Sequence, residues 1–131
     1  KEEKMQAVKL LSKAIESGIY AGNEVVPTPM TVEGYAPISE GMCGFAWVRV
    51  VCNNRASRLF INQLKKAGLA TDDINSFDNK AVFKKSCFER GYTYWVSDFG
   101  QSYERKKAFA RAMTAVLRMC DVNAMDFSRL D

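Results

Sequence analysis

The sequence predicts a small α+β domain in which helices pack against one β-sheet. Three observations favour this class. Apolar residues recur at the three- and four-residue spacing of helices in three segments, and β-branched and aromatic runs lie between them. The composition, 47% hydrophobic and 26% charged, is typical of a globular chain. At 131 residues the chain is expected to form a single domain, 1–131, with a core of its own.

The first predicted element is an amphipathic helix in segment 1–18. Its apolar side is expected to contain Met5, Val8, Leu11 and Ile15. Gly18 is placed to end this helix. Segment 19–42 follows as a long connection interrupted by Gly and Pro, and segment 43–131 is expected to hold the core of the domain.

The core begins with a strand over 44–51, where the sequence reads GFAWVRVV. Asn53 and Asn54 are candidate N-caps for a helix over 55–67, which Gly68 would end. A polar loop is predicted for 69–79.

The second half of the core is predicted to start with a hairpin, in which strands 81–88 and 92–97 flank a tight turn. Ser102 can cap the last helix, whose buried stripe extends to Cys120. A short strand over 124–128 would close the sheet. After the first helix, the order β-α-β-β-α-β is that of a ferredoxin-like sandwich, with two helices on one face of four antiparallel strands and with the strands 44–51 and 92–97 side by side at its centre.

The other face of this sheet carries the candidate binding surface. Alternation divides each strand between the two faces. If the small and aliphatic residues face the helices, Trp47, Tyr92 and Tyr94 cluster on the open face, beside Arg49 and Arg90. Three aromatic rings on neighbouring strands form a platform for unpaired bases, so we expect single-stranded RNA or DNA as the preferred partner.

The same strand resembles the RNA-recognition motif. The third strand of that motif has the pattern Lys/Arg-Gly-Phe/Tyr-Gly/Ala-Phe-Val-x-Phe/Tyr, which this chain matches at Arg90, Gly91, Tyr92 and Tyr94. Trp47 occupies the corresponding first-strand position. The chain departs from the pattern at Thr93, Trp95 and Ser97. The resemblance implies nucleic-acid binding on the sheet.

Two alternatives for the aromatic residues stay open. Exposed Tyr and Trp side chains are costly, so helix 1–17 could cover them, or a second copy of the chain could do so in a homodimer. A host protein is a further candidate partner. In each case the chain would be a protein-interaction module.

A second resemblance covers residues 43–131. Its residues are the CGFAWV segment at 43–48, LKKAGL at 64–69, WVSDFGQS at 95–102 and SRLD at 128–131. These segments look like small uncharacterised proteins encoded in tailed-phage genomes. The resemblance implies a phage origin and a location in the host cytoplasm, but no chemistry.

Catalysis is not indicated. The chain contains no histidine, and no Cys or Ser is spaced to pair with a Lys, Asp or Glu as its base. The turn 97–102 is a candidate polar site, because Asp98, Gln101 and Ser102 precede a helix N-terminus, although a capped turn explains the same residues. We therefore expect a non-enzymatic binding module without a metal or another cofactor.

Charge and cysteine content agree with a cytoplasmic binding protein. The net charge of +4 is a mild basic excess that suits an acidic partner. The four cysteines have no Cys-x-x-Cys spacing, so we expect reduced thiols. Neither a secretory signal nor a membrane-spanning run is visible, and the absence of methionine at Lys1 suggests that some preceding residues are missing.

Overall fold

A computed structural model describes residues 6–27, 43–73, 82–86, 90–100 and 102–130. Among them it contains three helices and one mixed five-stranded sheet, which confirms the α+β class. The elements in chain order are α1 (Ala7–Glu24), β1 (Gly44–Val50), α2 (Arg55–Lys66), β2 (Ala70–Thr71), β3 (Phe83–Lys85), β4 (Tyr92–Trp95), α3 (Tyr103–Arg118) and β5 (Ala124–Leu130).

The sheet has the strand order β2-β3-β4-β1-β5. The predicted pair of central strands is present, because β1 lies between β4 and β5 and is antiparallel to both. β3 pairs antiparallel with β4. The prediction of a four-stranded antiparallel sheet is nevertheless incomplete, since β2 lies in the predicted polar loop and adds to β3 in parallel. A strand of two residues is too short to give a period in the sequence.

One face of the sheet packs against all three helices. Buried residues of β1 and of each helix belong to a single hydrophobic cluster. Its largest members on α2 and α3 are Phe60, Ile61, Leu64, Phe109, Met113 and Leu117. The described part of α1 therefore lies on the helix side of the sheet and not on its other face, so the expectation that helix 1–17 covers the aromatic face is wrong.

The first helix extends well beyond its predicted end. Gly18 and Gly22 lie inside α1, and both are buried. A Cβ atom at Gly18 would lie 2.8 Å from the Phe109 ring of α3, and one at Gly22 would overlap the ring of Phe99. The glycines thus allow α1 to approach α3 and the turn before it closely, which is why they do not end the helix. The predicted stripe is also shifted, since Val8 is exposed and Ala14 is buried.

The other helix ends follow the predicted chemistry. The Asn54 side chain accepts a hydrogen bond from the Ser57 N–H at 2.8 Å and caps α2. Gly68 has a φ of 80° and follows the end of α2, where the N–H of Leu69 donates to the Leu64 carbonyl. Ser102 caps α3 by accepting from the Arg105 N–H. Met5 and the greater part of the connection 19–42 lie outside the described residues.

Candidate functional site

The open face of the sheet is defined by the strand registers. Trp47 of β1 lies directly opposite Trp95 of β4 and Phe127 of β5. Directly opposed residues of antiparallel strands point to the same face. Ala46, Val48 and Val50 are buried against the helices, so these three aromatic residues lie on the face away from the helices.

Four aromatic residues meet there, and we call Phe45, Trp47, Trp95 and Phe127 the aromatic surface. The Trp47 and Trp95 rings stack with centroids 5.2 Å apart and planes 10° from parallel. Phe127 stacks on the other side of Trp47 at 5.7 Å, and Phe45 contacts Trp95 at 5.8 Å. Trp95 is 48% exposed, which makes it the ring that a ligand can reach most readily.

Cationic side chains surround the aromatic surface. The Arg49 guanidinium lies 4.6 Å from the Phe127 centroid, and the Arg129 guanidinium lies 5.5 Å from that of Phe45. The Lys106 ammonium reaches the same Phe45 ring from α3, at 5.8 Å. Lys84 of β3 lies opposite Thr93 of β4, which in turn lies opposite Arg49 of β1. Lys84 is therefore on the same face of the sheet as the aromatic surface. Among the described strand residues, the alternation places no carboxylate on this side.

The expectation that Tyr92 and Tyr94 belong to the open face is wrong. Tyr94 lies opposite Val48 and is 8% exposed, between the rings of Phe83 and Phe109 in the core. Burial raises the pKa of Tyr94 to about 12, and the negative charge of Asp98 acts in the same direction. The pairing of β4 with β1 thus places Tyr92 and Tyr94 on the helix side and Trp95 on the opposite face, which is the reverse of the prediction.

Tyr92 lies at the start of β4 on the helix side of the sheet, in a polar cluster with Lys65 of α2. Its hydroxyl donates a hydrogen bond to Asp72, and the Lys65 ammonium lies 3.0 Å from the same carboxylate and 5.0 Å from the Tyr92 ring centroid. The Tyr92 hydrogen bond and then Lys65 hold the pKa of Asp72 below its usual value. This cluster joins the end of α2 to β4, so Tyr92 has a structural partner.

The remaining predicted site residues do not come together. Arg49 belongs to the open face, while Arg90 is exposed immediately before β4. Asp98 is exposed in the turn before α3, where Phe99 has a φ of 70°. Ser102 is buried as the α3 cap, and Gln101 lies outside the described residues. The capped turn is therefore the better explanation of this segment.

Sequence reasoning placed Phe45 on the face of Trp47 without including it in the site, and it missed the rings of Trp95 and Phe127. One signal was available. Val96 follows Tyr92 and Tyr94 at two-residue spacing, so all three point to the same face of the sheet. Val96 is aliphatic and fully buried. The position of Val96 would have assigned the tyrosines to the core and Trp95 to the open face.

The helix side of the molecule carries a separate groove between α1 and the start of α2. It has a volume of about 850 Å³ and combines apolar Leu10 and Leu59 with the cations Lys9, Lys13 and Arg55. The groove adds positive charge to the helix side, away from the aromatic surface.

The described residues contain no cluster of three or more His, Cys, Asp or Glu side chains that could hold a metal ion. Cys43, Cys52 and Cys120 are free thiols. Burial raises the pKa of Cys52, against the opposing charges of Lys65 and Arg58. Burial of Cys52 therefore disfavours the reactive thiolate.

Comparison of the chain with protein-family models, with curated proteins and with solved structures found no match. Within the described part of the chain, each helix is too short or too polar to cross a membrane.

Proposed function

We propose that this protein binds single-stranded nucleic acid on the aromatic surface. The observation that carries the proposal is the combination of four neighbouring rings with cationic side chains on one face of the sheet. Aromatic rings accept unpaired bases of any sequence by stacking, and cations bind the phosphates that connect them. A net charge of +4 supports the same class of partner.

Trp95 is the principal stacking residue in this proposal. It is half-exposed, and its contacts with Trp47 and Phe45 fix its orientation before a ligand arrives. Stacking on a ring that is already held loses little conformational freedom. Lys84 and Arg129 lie on opposite sides of the ring row along the strands, where they suit successive phosphates.

The topology of the domain is a second part of the proposal. We infer a ferredoxin-like arrangement for β1, α2, β3, β4, α3 and β5, to which α1 and β2 are additions. The antiparallel order β3-β4-β1-β5 supports this inference. An open sheet face is a common nucleic-acid surface in folds of this shape.

The test is fluorescence anisotropy of labelled single-stranded RNA and DNA with the protein and with Trp95→Ala. Loss of one stacking ring is expected to weaken binding by about 1 to 3 kcal/mol, which is roughly 5- to 150-fold. Tyr20→Ala is the matched control, because Tyr20 is 68% exposed on α1, away from the sheet, and its removal should leave binding unchanged.

Salt dependence tests the cationic part of the site. Each phosphate that a cation of this face neutralises should contribute about −0.7 to the slope of log K against log salt. Equal affinities of Trp95→Ala and the parent protein would contradict the proposed site. An absence of binding at every salt concentration would instead favour the second candidate, a protein partner that covers the same rings.

A further inference from the structure

The two edges of the sheet are built differently. β5 has seven residues and an unbroken register against β1, whereas β2 at the opposite edge has two. Natural sheets protect exposed edges with short strands, Pro, Lys or β-bulges. Shortness protects the β2 edge. The β5 sequence AMDFSRL contains no Pro, its register contains no bulge, and its two charged residues, Asp126 and Arg129, have opposite signs, so they do not repel a second copy of the strand. β5 is therefore the edge to which a further strand can add.

The backbone groups available on β5 follow from the hydrogen bonds of β1. The Val51 N–H donates to Asn123 at 3.0 Å, and the Val96 N–H donates to Ala46 at 3.1 Å. The backbone N–H and C=O groups of odd-numbered β1 residues thus form hydrogen bonds with β5, and those of even-numbered residues form hydrogen bonds with β4. By the same alternation, the odd-numbered residues of β5 face β1 and the even-numbered ones face outward.

β5 has four outward-facing residues, Ala124, Asp126, Ser128 and Leu130, and the backbone of one of them is already engaged. The carbonyl of Ala124, the first of them, accepts a hydrogen bond from the Arg118 guanidinium at 2.8 Å. Within the described part of the chain, the outward backbone groups of Asp126, Ser128 and Leu130 have no hydrogen-bond partner. These groups form a row that matches the ladder of another strand.

We propose that β5 pairs antiparallel with β5 of a second copy of this chain, about a two-fold axis at Ser128. This register uses all three free positions, because Asp126 pairs with Leu130 of the second copy and Ser128 pairs with its own equivalent. The two five-stranded sheets then form one continuous sheet. The axis is perpendicular to the sheet, so both aromatic surfaces lie on the same side.

The side chains of β5 are complementary to themselves in this register. On the open face, Phe127 lies opposite Arg129 of the second copy, a type of contact that each copy already contains between Arg129 and Phe45. On the helix side, Asp126 lies opposite an apolar residue and no like charges meet.

Neighbouring registers are less favourable. A two-fold axis at Asp126 would place two carboxylates opposite each other. An axis at Phe127 would pair Leu130 with Ala124, whose carbonyl is already bonded to Arg118. The dimer does not require nucleic acid, because backbone groups at the edge form it, and Trp95, the principal stacking residue, lies on β4, two strands away from β5.

Asp126→Pro is the decisive variant. It removes an outward N–H and leaves the β1–β5 ladder intact, since proline is tolerated on edge strands when its nitrogen faces away from the sheet. Asp126→Ala is the matched control, because it keeps the N–H. Light scattering and sedimentation of the whole chain should give twice the 14.7 kDa monomer mass for the parent protein and for Asp126→Ala. Association of Asp126→Pro should be roughly 30-fold weaker, through the loss of two symmetry-related hydrogen bonds.

Cross-linking tests the register and does not depend on the folding of the proline variant. In a background with the four native cysteines replaced by serine, Ser128→Cys should form an intermolecular disulfide under mild oxidation, since the two equivalent residues face each other. Asp126→Cys should not. A monomeric parent protein at all concentrations, unchanged association of a folded Asp126→Pro, or preferential cross-linking of Asp126→Cys would each overturn the proposal.

Discussion

Gly18→Ala is expected to destabilise the protein, although it removes a glycine from the interior of a helix. On propensity alone the change would stabilise α1 by about 1 kcal/mol. In the structure, however, the added Cβ would lie 2.8 Å from Cδ1 of Phe109 and 2.9 Å from two further atoms of that ring. Carbon atoms in proteins pack at about 3.5 to 4.0 Å, so the ring or α1 must move by roughly 1 Å.

Phe109 is closely packed in the core. Its side chain is fully buried, with the Tyr94 ring stacked at 6.1 Å and the Phe99 ring at 6.4 Å. Overpacking of such a site costs about 1 to 3 kcal/mol, and the middle of that range is larger than the gain of about 1 kcal/mol in helix propensity. We therefore expect a net loss of about 1 kcal/mol in the free energy of unfolding.

A double-mutant cycle with Phe109→Leu isolates this contact. The smaller side chain gives the alanine room, so Gly18→Ala should become neutral or stabilising in the Phe109→Leu background, with a coupling energy of about 1 to 3 kcal/mol. Urea unfolding followed by circular dichroism measures all four proteins. Ser12→Ala on the exposed side of α1 is the control for propensity. Stabilisation of the parent protein by Gly18→Ala would refute the close approach of α1 and α3.

Two further predictions concern titration and reactivity. Because the pKa of Tyr94 is about 12 in the folded protein against 10.0 in the unfolded chain, the native state holds its proton more tightly, and stability should fall by about 2 to 3 kcal/mol as the pH rises from 10 to 12. Tyr94→Phe should remove this part of the pH dependence in urea unfolding, and an unchanged slope would show that Tyr94 is not responsible. Among the described thiols, exposed Cys43 and Cys120 should react with an alkylating reagent at pH 8 faster than Cys52, whose pKa is raised by burial. Mass mapping of the time course would contradict this expectation if Cys52 reacted first.

Much of the fold could be predicted because its local signals agree with its packing. β1 is a β-branched and aromatic run, and α2 and α3 are amphipathic helices with Asn and Ser caps. α1 could not be bounded correctly, because Gly18 is a helix terminator by local chemistry and a contact residue by tertiary packing. Ala14, Gly18 and Gly22 recur at four-residue spacing, which places these small residues on one side of α1. The sequence alone does not show that this side packs against the rings of Phe109 and Phe99.

The candidate site shows the same division between local and tertiary information. The alternation of β4 correctly separates Tyr92 and Tyr94 from Trp95, but it does not state which set faces the helices. The register with β1 decides this, by placing Trp95 opposite Trp47 and Tyr94 opposite Val48. Phe127 lies within the predicted last strand, but only the pairing of β5 with β1 places it beside Trp47. Arg129 lies beyond the predicted end of that strand, opposite Phe45.

The aromatic surface also provides its own probe, because the chain has two tryptophans and both belong to it. The most direct measurement is therefore a titration of the unlabelled protein with unlabelled single-stranded oligonucleotide, followed by intrinsic tryptophan fluorescence at low and moderate salt. Bases that stack on Trp95 should quench the emission in a saturable way, with a midpoint that moves to higher concentration as salt is added. Unchanged emission at concentrations that saturate an anisotropy signal would place the nucleic acid elsewhere on the molecule. Unchanged emission without any anisotropy signal would contradict the proposed function itself.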